Sequence, residues 1–248
     1  MVKYLQTRAT QQIKLPWLVM FNVALFAFSV QAQAQANSLL EFEAKYTAFR
    51  YGKDLGQATL ALHALGRDKY RLNYDSKISL FFLSDKRSET SLFSFSEQQV
   101  LPYKYQYVRT GTGSDKQTEV VFDQTQQKIH INDDSPIVWQ GELDNQLYRL
   151  DLQFKLAQGE TKFSYNLVNS RGQLRTYAME VVGKEQLDLP YGMLEGIKVN
   201  ILRKNSSRQT YAWFSPQLNY QLVRLQQFKD GDEQGEIQLK EYHSSAQP

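Results

Sequence analysis

The 248-residue sequence contains no cysteine. Disulfides, thiol catalysis, cysteine zinc sites and anchoring through an acylated cysteine are therefore all excluded. Histidine is nearly absent too: only His63, His130 and His243 occur, far apart in the chain. Net charge of one sign is also missing. The chain carries 29 basic and 26 acidic residues, and Lys3, Arg8 and Lys14 precede the first acidic one. Beyond Ala36 the formal charges balance, so bulk charge does not argue for a nucleic-acid partner. Catalytic signatures are lacking as well. No Gly-x-Ser-x-Gly elbow and no His-Glu-x-x-His is present, and neither a metal nor a cofactor is expected. These absences weaken an enzymatic reading without removing it, since any two carboxylates could meet in space for glycoside hydrolysis.

What is present begins with an address. The basic start is followed by "LPWLVMFNVALFAFSV", an apolar run of 16 residues from Leu15 to Val30. That falls short of the roughly 20 residues of a spanning helix. Ala34-Gln35-Ala36 then fits the small-x-small rule for signal-peptide cleavage. The reading is a signal peptide over residues 1–36, export to the periplasm, and a single domain over 37–248 with no transmembrane segment after processing. A domain of this size buries a core without disulfide staples.

From residue 39 onward the chain alternates. Leu40, Phe42, Ala44, Tyr46 and Ala48 share one face, as do Tyr70, Leu72 and Tyr74, and Phe93 and Phe95 stand against serines. Tyr103, Tyr105 and Tyr107 read as a further stripe. Turn signals separate these runs, at Tyr51-Gly52-Lys53-Asp54, Gly66-Arg67-Asp68, Gly111 to Asp115, Asn169 to Gly172, Lys204 to Ser207 and Asp230-Gly231. Long alternating strands with short turns predict an antiparallel sheet with one wet and one buried face. One segment departs from this period. Leu143, Leu147, Leu150, Phe154 and Ala157 recur at helical spacing, with Asp144 as N-cap and Gly159 as stop, which predicts a helix over 145–157. "YAWFSPQLNYQLVRLQQFKDG", Tyr211 to Gly231, reads as strand, Ser-Pro turn and return strand, with a third strand over 236–242.

Each candidate for chemistry has a structural competitor. His130 with Asp133 and Asp134 has the residue types of a metal corner, but a strand running into an acidic turn accounts for it. His63 alternates with leucines and reads as an edge histidine. "RTGTGSDK" lacks phosphate-loop spacing and precedes a strand, so it reads as a hairpin turn. The aromatic load remains. Tyr103, Tyr105, Tyr107, Phe93, Phe95 and Trp213 form either a core stripe or the lining of a ligand cavity, for which tyrosine has an apolar ring and a polar tip.

In "YKYQYVRTGTGSDKQTEVVFD", "LDLPYGMLEGIKV" and "WFSPQLNYQLVRL" the chain resembles the bacterial exported domain-of-unknown-function family DUF3108, over about Leu39 to Leu239. That family has no established activity, so the resemblance carries no catalytic residue across. "AWFSPQLNYQLVRL" is also similar to a strand–turn–strand unit of periplasmic carriers that sort lipoproteins. This implies a half-open barrel with a helical lid and an apolar interior.

The combined expectation is a mainly β fold: a strongly curved antiparallel meander or half-open β-barrel, with one helix packed on or across it. The leading function is a non-catalytic binder or carrier of a lipid or other apolar or amphipathic envelope component. An assembly factor that engages an envelope protein through exposed strand edges, and a carbohydrate-active enzyme, are the alternatives. For the address, mass spectrometry of the envelope fraction is expected to find a chain starting at Asn37 or within a few residues of it. A full-length chain released only by detergent would contradict cleavage.

Overall fold

The computed structural model describes residues 38–80, 83–203 and 207–245. The segment read as a signal peptide lies outside the described residues, as do Phe81, Phe82, most of the turn read at Lys204 to Ser207, and the tail from 246. Among the described residues, no helix is long and apolar enough to cross a membrane.

Eight strands come first: β1 (Phe42–Arg50), β2 (Lys53–Gly66), β3 (Lys69–Leu80), β4 (Leu83–Ser96), β5 (Gln99–Gly111), β6 (Lys116–Asp123), β7 (Lys128–Ile131) and β8 (Ile137–Val138). The short β9 (Leu143–Asp144) leads into the helix α1 (Leu147–Ala157). Six more strands follow: β10 (Lys162–Val168), β11 (Leu174–Leu189), β12 (Gly192–Arg203), β13 (Arg208–Ser215), β14 (Gln221–Lys229) and β15 (Asp232–Ser244). All of them join one 15-stranded sheet in the order β8 through β1, then β15 back through β9. Two pairings break the simple meander. The first strand pairs with the last, from Phe42 against Ser244 to Phe49 against Glu236. The short β9 lies parallel to β10, which requires a crossover, and α1 supplies it.

The turns follow from residue chemistry. Tyr51 and Gly52 take φ of 49° and 72° between β1 and β2, the positive values that two-residue hairpins need to match strand twist. Within β2, Gly56 has φ +143°, and a Cβ there would stand 2.1 Å from the Lys77 carbonyl oxygen. This close strand approach admits only glycine. After β13, Pro216 opens a 3-10 turn (Pro216–Leu218), and Asn219 and Tyr220 reverse the chain at positive φ.

The sheet is curved but not closed. Register shifts interrupt several pairings, for example at Lys45/Tyr46, Leu92/Phe93 and Val181/Gly183. Each such bulge bends its strand and adds twist. The shift opposite Leu92 and Phe93 has a further effect. Phe93 pairs with Pro102 and Leu92 with Lys104, so Tyr103 is the extra residue. The predicted tyrosine stripe is therefore split. Tyr105 and Tyr107 are buried, whereas Tyr103 is half-buried beneath the Lys69 ammonium, 6.0 Å from its ring centre.

The helix packs in the concave side with two faces buried rather than one. Leu147 and Leu150, with Phe154 beside them, join a cluster containing Phe42, Tyr46, Tyr70, Phe93 and Phe95. Phe154 stacks on Phe95 at 4.9 Å. Tyr148, Leu152 and Leu156 join a second cluster with Tyr165, Met179, Val199 and Phe214. The sequence pattern showed only the first stripe, and Ala157, counted in it, is exposed. The helix starts at Leu147 rather than Asn145, and its N-cap is Gln146 rather than the expected Asp144, whose Oδ1 instead accepts from the Gln146 and Leu147 amides at 2.8 and 2.9 Å and fixes the turn that leads in. At its other end Gly159, at φ 84°, returns its N–H to the Leu156 carbonyl.

Trp213 and Phe214 occupy different clusters. Phe214 faces Leu222 across the β13–β14 pair, and Trp213 packs with Leu187, Leu194 and Leu218. The Trp213 indole N–H donates to Glu185 at 2.9 Å, and Lys198 and Arg224 lie over its ring at 5.1 and 4.8 Å. The side chain is 2% exposed. Truncation by Trp213→Ala is expected to destabilise the domain by about 3–5 kcal/mol in urea titration. A loss below about 0.5 kcal/mol would mean that the ring carries little of the packing.

Candidate functional site: a half-open cavity at one end of the sheet

The hairpins β1–β2, β5–β6, β10–β11 and β14–β15 turn at the same end of the sheet. There the strands surround a half-open cavity of about 1450 Å³. Its position follows from the face alternation of β4 and β5. Phe95, Phe93, Ser91 and Glu89 are successive buried residues of one face of β4, and Arg87 continues that face into the cavity. Across the pair, Tyr105 lies opposite Ser91, Tyr107 opposite Glu89 and Arg109 opposite Arg87. Each strand thus runs from aromatic to charged along one face.

The floor is a buried polar cluster. Glu89 is 6% exposed, and its Oε2 accepts from the Tyr105 hydroxyl at 2.6 Å and from Asn145 Nδ2 at 2.8 Å. Burial, then the Glu89 charge, push the Tyr105 hydroxyl well above its usual range, so it stays a proton donor. Arg149, in the first turn of α1, donates from Nε to the Tyr148 hydroxyl at 3.1 Å and from Nη1 to Gln146 Oε1 at 3.2 Å. Burial works against its charge, but Tyr148 and the Glu89 carboxylate more than offset this. Nearer the mouth, Asp85 binds Arg87 and Arg109 together, at 2.8 and 2.9 Å. Burial opposes the Asp85 charge, yet the two arginines outweigh it and hold the carboxyl below its usual range.

The residues singled out from sequence are not gathered in this cavity. Of the six aromatics, Tyr107 lines it, and Tyr105 lies beneath it, bonded to Glu89. Phe93, Phe95 and Trp213 are packed in the core, and Tyr103 is not on the wall. His130 is half-buried on β7, and Asp133 and Asp134 are exposed in the turn after it. Among the described residues no three His, Asp or Glu side chains gather as a metal-ligand set. The polar residues Glu89, Asn145 and Arg149 were missed. Two signals in the sequence point to Glu89 and Arg149. Counting back by twos from Phe93 reaches Glu89 on the inward face. Arg149 puts a cation in the first helical turn, where the helix dipole disfavours it.

Comparison with known proteins places the fold. The family model described as "Protein of unknown function (DUF3108)" matches residues 41–238. Among solved structures, a β-barrel-like protein of the domain of unknown function DUF1849 from Brucella abortus is similar, with a TM-score of 0.60 and 9% identity. That alignment covers 84% of this chain and 99% of the other. A Bacteroides fragilis protein with a YmcC-like fold aligns at a TM-score of 0.32 with 11% identity, over 82% of this chain and 95% of that one. No curated protein matches the sequence.

Asp144, beside the floor, generates a pH prediction. Its side chain is fully buried, beside the equally buried Ser91 hydroxyl. Burial pushes the carboxyl up to about 7, against the pull of the Leu147 and Gln146 amides. A carboxyl with a raised folded-state pKa is held protonated by the fold while the unfolded chain has already lost its proton. Stability is thus fullest below the unfolded value and is expected to fall as pH rises from about 4 to 7, by at most roughly 4 kcal/mol. Urea midpoints measured across that range test this. Asp144→Asn keeps the accepting oxygen and should flatten the slope, and an unchanged slope in the variant would clear Asp144.

Proposed function

This chain belongs to the DUF3108 family, and from its cavity we propose that it is an exported, non-catalytic binder or carrier of an amphipathic component of the cell envelope. The observation that carries the reading is the half-open cavity itself. At about 1450 Å³ it exceeds the roughly 300–1,000 Å³ of ordinary small-molecule pockets. Its wall combines apolar side chains (Phe49, Leu55, Ile78, Leu225) with tyrosines and charged groups. Such a wall suits a molecule with one apolar and one polar part. Because α1 and its two clusters fill the concave side, a ligand would occupy the end of the half-barrel rather than its full length.

The other two readings have less support. Both carboxylates on the cavity wall are engaged: Glu89 by Tyr105 and Asn145, and Glu236 by Arg224 at 2.7 Å and by Gln238. That favours binding over an acid–base pair. The sheet edges β8 and β9 are two residues each, too short to offer a partner a long ladder of unpaired backbone groups.

The test is to purify residues 37–248 gently, extract with organic solvent and analyse the extract for lipid, then titrate the stripped protein with a fluorescent fatty acid. Saturable binding near one ligand per chain is expected. Leu55→Asp, which puts a charge on a half-buried position of the cavity wall, should weaken it while leaving the circular dichroism spectrum unchanged. A stripped protein that takes up no amphiphile would end the carrier reading.

A further inference from the structure

The cavity wall carries six arginines and one lysine against two glutamates. Beyond Ala36 the chain as a whole has balanced formal charge, so this concentration of positive charge is local. Five of the arginines are also under-neutralised. Arg87 and Arg109 share the single carboxylate of Asp85. Arg149, Arg171 and Arg175 have no carboxylate within ion-pair distance among the described residues. Arg149 is held by Tyr148 and Gln146, and Arg175 by the Leu174 carbonyl and Gln173. These partners fix the guanidinium groups without cancelling their charge. Positive groups gathered around a cavity with low-dielectric walls repel one another and raise its potential, and a bound anion relieves both effects.

The position of Arg149 sharpens the point. A cation in the first turn of α1 is opposed by the helix dipole. The Gln146 and Leu147 amides at that end are already taken by Asp144. What the helix start presents to the cavity is therefore the guanidinium, with the Asn145 amide beside it donating to the buried Glu89 carboxylate. Arginine has the planar fork of donors that fits phosphate and carboxylate oxygens in pairs. Apolar wall is present in the same cavity, on β14 and β15, at Leu225 and Ile237.

We propose that the ligand is an anionic amphiphile, whose phosphate or carboxylate group sits on Arg149 and the rim arginines Arg171 and Arg175 while its apolar part lies along Leu225 and Ile237. The inference rests on the carrier reading above and adds the charge of the head group.

Calorimetry on residues 37–248 with three probes tests it: dodecyl phosphate, the uncharged monolauroylglycerol, and inorganic phosphate. Dodecyl phosphate is expected to bind at least about tenfold more tightly than monolauroylglycerol, because charge-assisted hydrogen bonds carry that much discrimination. Its affinity should fall as salt is raised, through screening of the rim charges. Arg149→Met should lose about tenfold for dodecyl phosphate and stay within about twofold for monolauroylglycerol. Should Arg149→Met fail to fold, Arg175→Gln, on an exposed rim residue, should show the same selective loss to a smaller degree. Equal affinity for the charged and uncharged chains, unmoved by either substitution, would overturn the anionic assignment and leave the carrier reading standing. Binding of inorganic phosphate without either amphiphile would overturn both, and so would binding of none of the three.

Discussion

The pairing of the first strand with the last holds the architecture together. β1 and β15 lie nearly 200 residues apart in the chain, yet they exchange hydrogen bonds from Phe42 and Ser244 to Phe49 and Glu236. Until that pair forms, the chain has two separate meanders, β1 to β8 and β9 to β15. Once it forms, the meanders become arms of one curved sheet, and α1, which begins the second arm, is brought into the concave side. Tyr46 reinforces the junction. Its hydroxyl donates to the Leu222 carbonyl at 2.8 Å and accepts from Gln221 Nε2 at 2.9 Å. Burial pushes that hydroxyl well above its usual range, so it remains a neutral donor. Loop closure over so long a separation costs entropy that is recovered only when the two apolar clusters assemble.

The same strand faces serve two purposes along their length. On β4 the buried face passes from Phe95 and Phe93 through Ser91 and Glu89 to Arg87. On β5 it passes from Tyr105 through Tyr107 to Arg109. One end of the half-barrel is accordingly a packed core, and the other is a polar-floored cavity. The polar floor carries a folding cost. Gln146 Nε2 is buried without a hydrogen-bond partner, and Asp144 and Ser91 are buried against each other; an unpartnered buried group is worth roughly 1–3 kcal/mol of lost solvation. A core built for stability alone would carry apolar residues at these positions. Violations of this kind concentrate where a protein does its work, which agrees with the proposed binding role of this end.

Much of the fold is legible in the sequence because it rests on local periodicity. The period-two runs at Phe42 to Ala48 and Tyr70 to Tyr74, and the turns at Tyr51-Gly52 and Asp230-Gly231, appear in the structure where residue type places them. Gly159 stops the helix as its conformation allows, whereas Asp144 binds the turn ahead of it and the N-cap falls on Gln146. The departures have physical causes. Reading α1 as having one stripe assumed a single covering surface, whereas the curved sheet meets it from two sides and also buries Tyr148, Leu152 and Leu156. Treating Tyr103 with Tyr105 and Tyr107 assumed an unbroken pleat, whereas a bulge shifts the alternation between Pro102 and Lys104.

The binding end is legible only in part. Alternation alone carries Glu89, Arg87 and Arg109 onto the inward faces of their strands, and the first-turn cation marks Arg149 as out of place. That these groups share one cavity with Arg171 and Arg175 is a matter of long-range pairing: β4 and β5 belong to one arm of the sheet, and the β10–β11 turn belongs to the other. The sequence by itself determined the strands, the turns, the helix and the balance of charge beyond Ala36, since these depend on neighbours within a few residues. Only the tertiary structure decided that the arms curve towards each other, that the helix fills one end, and that arginines from both arms converge on the other, because strand pairing and bulges set which distant side chains meet.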